Sequence, residues 1–413
     1  MTQGSKKRRD WGLPMAEGEE ECTPDIINVG GFGNSGVVIT EEGVVVVDAG
    51  IGSGTGRRII RAIRERTEAP VHTIIYTHGH FDHAYNVGPL FEDAKAKGHP
   101  RPRVIAHQAV LKRFERYKKL FGHHEHINRI EYDIAKEVEV LPPEFYYPDL
   151  TYADAMMFKL GGLTFELYHA MGETDDATWV WIPERKAAIV GDLIVWSCPN
   201  IGNPLKVQRY ELEWAEALER IAGKTPEILL PGHGPVVRGK LVQEICLNTA
   251  KFLRHMHDEV IRLLNEGCWI EEILERVSLP QDLANKPYLA PIYGCPTFII
   301  HGIQRRYAGW FSGNPTNLFP SKSAEIATEV VRVGGAEKLL ERSRELRKQG
   351  KVQLALHLAD FVIEGTQDNQ SCKEALLLKA ELLEAKASAE RSYIARNILR
   401  HGAKAAREES SRL

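Results

Sequence analysis

The chain has 413 residues, of which 43% are hydrophobic and 26% charged, with a formal net charge of −3. That length favours two domains of ordinary globular composition, and the near-neutral charge excludes a general affinity for nucleic acid or anionic membranes. No apolar run reaches the ~18 residues of a membrane span, and the scattered cysteines (Cys22, Cys198, Cys246, Cys268, Cys295, Cys372) form no C-x-x-C pair, which argues against a disulfide framework or a structural zinc knuckle.

Residues 1–24 read as a flexible N-terminus. The basic run Lys6-Lys7-Arg8-Arg9 is followed by no apolar stretch of secretory type, so cytoplasmic residence is expected. Strands are expected over Ile26–Val29 and Val37–Thr40, separated by the glycine-rich Gly30–Gly36, and over Val44–Val47. A continuous valine run bounded by turn residues belongs to a strand buried on both faces. It closes on Asp48-Ala49-Gly50, and a carboxylate at such a place is costly to bury unless paired. Asp48 is therefore a candidate for orienting a metal-bound histidine, with a solvated turn aspartate as the alternative. Helical spacing over Gly54–Thr67 and a strand over Val71–Tyr76 follow. This β-β-α-β order places the next loop at a strand's C-terminal end, where sites in layered α/β folds collect.

That loop carries His78, His80, Asp82 and His83, four potential metal ligands in six residues. Two imidazoles two residues apart in extended backbone project to one side, and Asp82 and His83 turn toward a second position. The ligand set suits zinc, with iron or manganese as alternatives. Two such cations can share a bridging hydroxide that attacks an ester centre. The loop therefore reads as half of a two-metal site. His123, His124 and His126 have no strand to present them and no matching carboxylate, so they read as a loop that flanks the pocket or lies plainly at the surface.

Further strands are expected over Thr164–His169, Ala177–Ile182, Ala187–Val190 and Ile228–Leu230. The first leads into Met171-Gly172-Glu173-Thr174, the third into Gly191-Asp192 and the last into Pro231-Gly232-His233-Gly234. Repeatedly, a strand ends on a glycine and a potential ligand. From Leu241 the apolar spacing becomes helical, with a shorter helix over Trp269–Val277. Pro287–Phe319, rich in Pro, Gly and aromatics, is expected to be non-helical and to line the site mouth or a dimer contact. Helices resume over Ala336–Arg347, Val352–Gly365, Ser371–Ala387 and Ala389–His401, with the length of tetratricopeptide-like hairpins.

Over residues 25–240 the chain resembles the metallo-β-lactamase superfamily. Thr77-His78-Gly79-His80-Phe81-Asp82-His83 matches its metal motif, and Val47-Asp48-Ala49-Gly50 its early strand end. Gly191-Asp192 matches its bridging carboxylate, and Pro231-Gly232-His233-Gly234 its last histidine. The resemblance implies an α/β fold, an αββα sandwich, holding two Zn²⁺ per chain. His78, His80 and a third ligand would hold one ion, Asp82, His83 and His233 the other, with Asp192 bridging; Asp82 and a metal-bridging hydroxide would serve the catalytic step. Most members carry a histidine as third ligand. Register with Gly191-Asp192 puts Glu173 there, with His169 as competitor.

A carboxylate at that position is similar to the alkyl sulfatase (type III sulfatase) branch. So are Asn128–Tyr132, Val207-Gln208-Arg209 with Trp214, Arg305–Leu318 and Arg396–Ala403. The branch implies an all-α, tetratricopeptide-like dimerisation domain over residues 241–413 and a homodimer. In the expected sulfatase, Arg209 would grip the sulfate through a bidentate fork, with Asn200 and Asn203 as further substrate contacts. Two departures matter. Asp192 stands where these sulfatases usually carry glutamate, and the sequence stops before the sterol-carrier-like C-terminal domain of larger members, which leaves the substrate open. The expected function is a binuclear zinc hydrolase acting on small-molecule sulfate esters of alkyl or related alcohols. A lactonase, β-lactamase-like or phosphoester hydrolase on the same core is the alternative, and a non-catalytic helical scaffold a third reading.

Overall fold

The structure, a computed structural model, describes residues 14–135, 137–138, 140 and 144–413. The basic run Lys6–Arg9 lies outside them. The chain forms two compact units, one from Met1–His126 with Glu139–Gly309, the other from Ile127–Val138 with Trp310–Leu413.

The first unit contains two sheets. One holds β1 (Glu19–Thr23), β2 (Ile26–Val29), β3 (Ser35–Thr40), β4 (Gly43–Val47), β5 (Val71–Ile75), β6 (Arg103–His107) and β7 (Leu150–Tyr152) in chain order. Its first four strands pair antiparallel and β4 to β7 pair parallel. The parallel crossovers carry α1 (Gly52–Arg64), the short α2 (Phe81–Ala84), α3 (Gly88–Ala96), α4 (Ala109–Lys119) and α5 (Phe121–Tyr132). The other sheet holds β8 (Ala155–Leu160), β9 (Leu163–Ala170), β10 (Ala177–Ile182), β11 (Ala187–Gly191), β12 (Ile228–Pro231) and β13 (Val237–Arg238), with α6 (Glu211–Gly223) joining β11 to its parallel neighbour β12.

The valine run of β4 explains the layering, because alternate side chains leave a strand on opposite faces. Val45 and Val47 meet Phe165, Val180, Ile189 and Leu230 of the second sheet. Val44 and Val46 meet Ile59, Ile63, Leu90 and Phe114 of the covering helices. On the far side Trp179, Trp181 and Val190 pack against Trp214, Leu218 and Ile221 of α6. The architecture is the expected αββα sandwich.

Three expectations need correction. Glu19–Thr23 forms edge strand β1 inside the stretch taken as a flexible terminus; it pairs with β2, and Arg61 and Arg238 meet its acidic side chains. His123, His124 and His126 lie on helix α5, not in a loop; His124 is buried edge-on against Tyr117, at 4.5 Å between ring centroids. And Pro287–Phe319 does contain a helix. Proline is compatible with a helix's first turn, and Pro296 opens a segment with Ile299, Ile300 and Ile303 buried at helical spacing.

The helical region beyond residue 240 is shared between the units. α7 (Lys240–Asn265), α8 (Ile270–Arg276) and α9 (Pro296–Tyr307) lie in the first, where Ile245, Phe252, Leu253, Met256 and Ile303 join the core of the second sheet. The second unit stacks α10 (Ser323–Gly334), α11 (Ala336–Lys348), α12 (Val352–Gly365), α13 (Asn369–Ala389) and α14 (Tyr393–Ser410) around Leu340, Leu356, Val362, Leu376 and Leu382. Within it, Asn397 of α14 donates to the Glu131 carbonyl of α5 at 2.8 Å, so two of the four branch-like stretches pack on each other. No described helix is long and apolar enough to cross a membrane.

Candidate metal centre

Seven side chains from four loops converge where β5, β9, β11 and β12 end. One donor atom from each of His78, His80, Glu173 and Asp192 lies within 4.8 Å of the others, and the same holds for Asp82, His83 and His233. Asp192 faces both groups. Its Oδ1 is 3.3 Å from Nε2 of His83 and of His233, while Oδ2 is 3.4 Å from Nε2 of His78.

Backbone chemistry builds this convergence. Gly191 has φ +51°, a region glycine enters freely, and it turns β11 so that Asp192 points inward. A Cβ on Gly232 would sit 2.0 Å from Asp192 Oδ1, so only glycine lets the β12 turn approach the carboxylate.

The imidazoles are oriented from behind. His83 donates Nδ1–H to Asp48 Oδ2 at 2.8 Å, and His233 donates Nδ1–H to the Phe32 carbonyl. Their Nε2 atoms therefore face the cluster and, in the neutral ring, would offer lone pairs to a cation. His78 Nδ1 lies 3.0 Å from the Thr77 hydroxyl, which donates to Asp48 Oδ2 at 2.6 Å. One buried carboxylate thus steers a histidine in each group.

The electrostatics match a cation centre. Burial alone would raise the Asp192 carboxyl, but the His233, His83 and His78 charges hold it well below the usual carboxylate range. Asp82 is likewise held down against burial, by His83 and His233. Burial opposes the charge on His83 as well, yet Asp192, Asp82 and Asp48 push it well above the usual imidazole range. His80, by contrast, is driven well down by burial with His78, Arg113 and Arg209 beside it. His83 Nε2 and Asp192 Oδ1, both buried, have no hydrogen-bond partner. Such orphans are costly in a dry interior, on the order of 1–3 kcal/mol each. Nitrogen and oxygen donors at this spacing fit divalent metal ions.

Glu173 is in the first group and His169 is not. His169 stacks on His107, centroids 3.7 Å apart, with Nε2 2.9 Å from the Asp175 carbonyl. Arg209 and Asn200 both reach the cluster through Glu173: the guanidinium pairs with Oε1, and Asn200 Nδ2 donates to the same atom at 3.0 Å. Arg209 also donates to the Asn200 carbonyl at 3.1 Å and is only 6% exposed. Asn203 closes its own turn, with Oδ1 accepting the Leu205 N–H at 2.9 Å. Arg113 and Asp176, close around the centre, escaped the sequence reading, and Thr77 was read only as part of the motif, without its link to Asp48. Asp176 was marked only by its nearness to Glu173, and a helical arginine such as Arg113 carries no signal of its own.

The chain is similar to known proteins over most of its length. Residues 28–233 match the family model of the metallo-beta-lactamase superfamily, and residues 269–409 that of alkyl sulfatase dimerisation. A linear primary-alkylsulfatase of Pseudomonas sp. (strain ATCC 19151) is 24% identical over 81% of this chain and 67% of its own length. An alkyl/aryl-sulfatase of Saccharomyces cerevisiae is 22% identical over 88% of this chain and 60% of its own length. The solved stereoselective inverting sec-alkylsulfatase from Pseudomonas sp. superposes with a TM-score of 0.83 at 21% identity, over 94% of this chain and 65% of that one. The chain thus spans 60 to 67% of the length of these relatives.

Proposed function

The chain belongs to the metallo-β-lactamase superfamily, in the branch that carries an alkyl sulfatase dimerisation region, and from that premise we propose that it is a binuclear zinc hydrolase cleaving sulfate esters of alkyl or related alcohols. The observation that carries this reading is the pair of donor groups with Asp192 facing both, edged by Arg209 and Asn200 at Glu173. The substrate class follows the relatives, which are named for linear primary, secondary and alkyl/aryl sulfates.

Divalent cations at such a centre polarise an ester oxygen and lower the pKa of water. The side chains divide the remaining work. Asp48 fixes the tautomer and direction of His83 directly, and of His78 through Thr77. Asp82 and Asp192, held as carboxylates, offset the cations' charge and orient an attacking water through their free lone pairs. Arg209 and Asn200 bring cationic and amide donors to the Glu173 edge, where a sulfate group gains most from charge-assisted hydrogen bonds.

The test is sulfate release from hexyl and dodecyl sulfate by zinc-loaded protein, beside lactone and phosphodiester turnover, with metal stoichiometry measured on the same sample. Sulfate release abolished by Asp82→Ala supports the reading. Lactone or phosphodiester turnover without sulfate release replaces it with another hydrolase of the same core.

We also propose that the chain is a homodimer assembled through its helical region. The second unit leaves Trp310 76%, Phe319 89% and Val333 89% exposed, large apolar groups that a second copy of the chain would cover.

A further inference from the structure

Arg113 sits on α4 and contributes no donor to either group, yet its side chain is only 6% exposed. Its Nε donates to Asp176 Oδ2 at 2.7 Å, and its Nη2 pairs with Asp175 Oδ1. The same Asp176 Oδ2 accepts the backbone N–H of Gly79 at 3.1 Å. Gly79 lies between His78 and His80, and Asp175 and Asp176 follow Glu173 by two and three residues. One guanidinium fork therefore ties together the two turns that supply three of the four donors of the first group. The fit is tight, since a Cβ on Gly79 would lie 2.8 Å from Arg113 Cδ and 3.0 Å from Asp176 Oδ2.

A buried ion pair is weak evidence for stability, because desolvation offsets much of the attraction. Its value lies in geometry. Arginine's planar fork fixes two acceptors at once, which a lysine ammonium, a point charge on a flexible stem, does not. The second group has its own supports, Asp48 for His83 and Phe32 for His233, and none of these involves Arg113.

We propose that Arg113 is a positioning residue for the first cation alone: through Asp176 it sets the His78-Gly79-His80 turn, and through Asp175 the Glu173 turn, so that its loss weakens one of the two ions selectively. The inference rests on the two-cation reading of the centre.

The experiment titrates metal-free protein with Co²⁺, following visible absorption and equilibrium dialysis, in wild type, Arg113→Lys and Asp176→Asn; thermal unfolding of the metal-free forms shows which variants fold. In a folded variant, one Co²⁺ should bind about 10- to 100-fold more weakly, the usual cost of losing a support behind a ligand, while the other keeps its affinity. Equal weakening of both ions, or unchanged binding of both, overturns the proposal. So does a wild type that binds a single Co²⁺, which removes the two-cation reading as well. A wild type that binds two ions but releases no sulfate defeats only the sulfatase reading. If Arg113→Lys fails to fold, Asp176→Asn decides alone.

Discussion

Asp48 Oδ2 stands 2.8 Å from His83 Nδ1 and 2.6 Å from the Thr77 hydroxyl, which lies 3.0 Å from His78 Nδ1. The two groups of donors thus share a support before they share any ion. Asp48→Ala should lower metal affinity or sulfate release by about 10- to 100-fold and weaken both ions, unlike the Arg113 variants. Dialysis against a graded chelator reads this, and loss confined to one ion would contradict the shared support.

The third ligand separates two candidates directly. Glu173→Ala should reduce bound zinc from about two ions per chain to about one, because a site short of a donor seldom keeps its ion at neutral pH. His169→Ala should keep both. Elemental analysis after gel filtration makes the comparison, and the opposite pattern would hand the position to His169.

Gly232→Ala places a methyl group 2.0 Å from where Asp192 Oδ1 now lies. The expected loss is about 1–3 kcal/mol, as for other overpacked sites. It should appear as a lower thermal midpoint together with weaker metal binding. An unchanged midpoint with full metal content would mean that the β12 turn gives way.

His124 provides a pH dependence away from the metal ligands. Burial, with Lys206 and Arg116 nearby, lowers its pKa from 6.5 to about 4. The unfolded chain therefore takes up a proton that the folded chain refuses, so this residue removes stability as pH falls from 6.5 to about 4, and no more below that. His124→Gln should flatten that part of the profile of urea midpoints at pH 7, 5 and 4. An identical slope in both proteins would rule the assignment out.

For the proposed dimer, Val333→Glu with Phe319→Ser should raise the dissociation constant at least tenfold, about 1.4 kcal/mol, with metal content intact. Sedimentation velocity over a concentration series measures it. A wild-type chain that sediments as a monomer throughout would sink the dimer itself.

The sandwich was legible because β4 is a bare valine run and three of the later strands lead into glycine plus a ligand, at Glu173, Asp192 and His233, patterns set by burial on two faces and by sharp turns. The same regularity exposed the positions of Asp192 and His233. What stayed hidden depends on contacts distant in sequence. Arg113 and Asp176 are 63 residues apart, and neither residue type announces a buried pair. Arg209 was read as a sulfate fork from its neighbours in sequence, whereas its pairing with Glu173 is visible only in three dimensions. α9 was missed because glycine and proline dominate its flanks, although Ile299, Ile300 and Ile303 already carried a helical period.

Gly302 of α9 packs so closely on the loop after β11 that a Cβ there would lie 2.2 Å from the Ile201 carbonyl, and α7 buries its apolar stripe beside Trp214 and Leu218. The last metal-motif residue, His233, is therefore not where the working enzyme stops being needed. A fragment ending there would keep every candidate ligand yet open the back of its second sheet to water. Recombination or protein engineering that trades helical modules in this lineage has its natural seam near Gly309, 76 residues past His233.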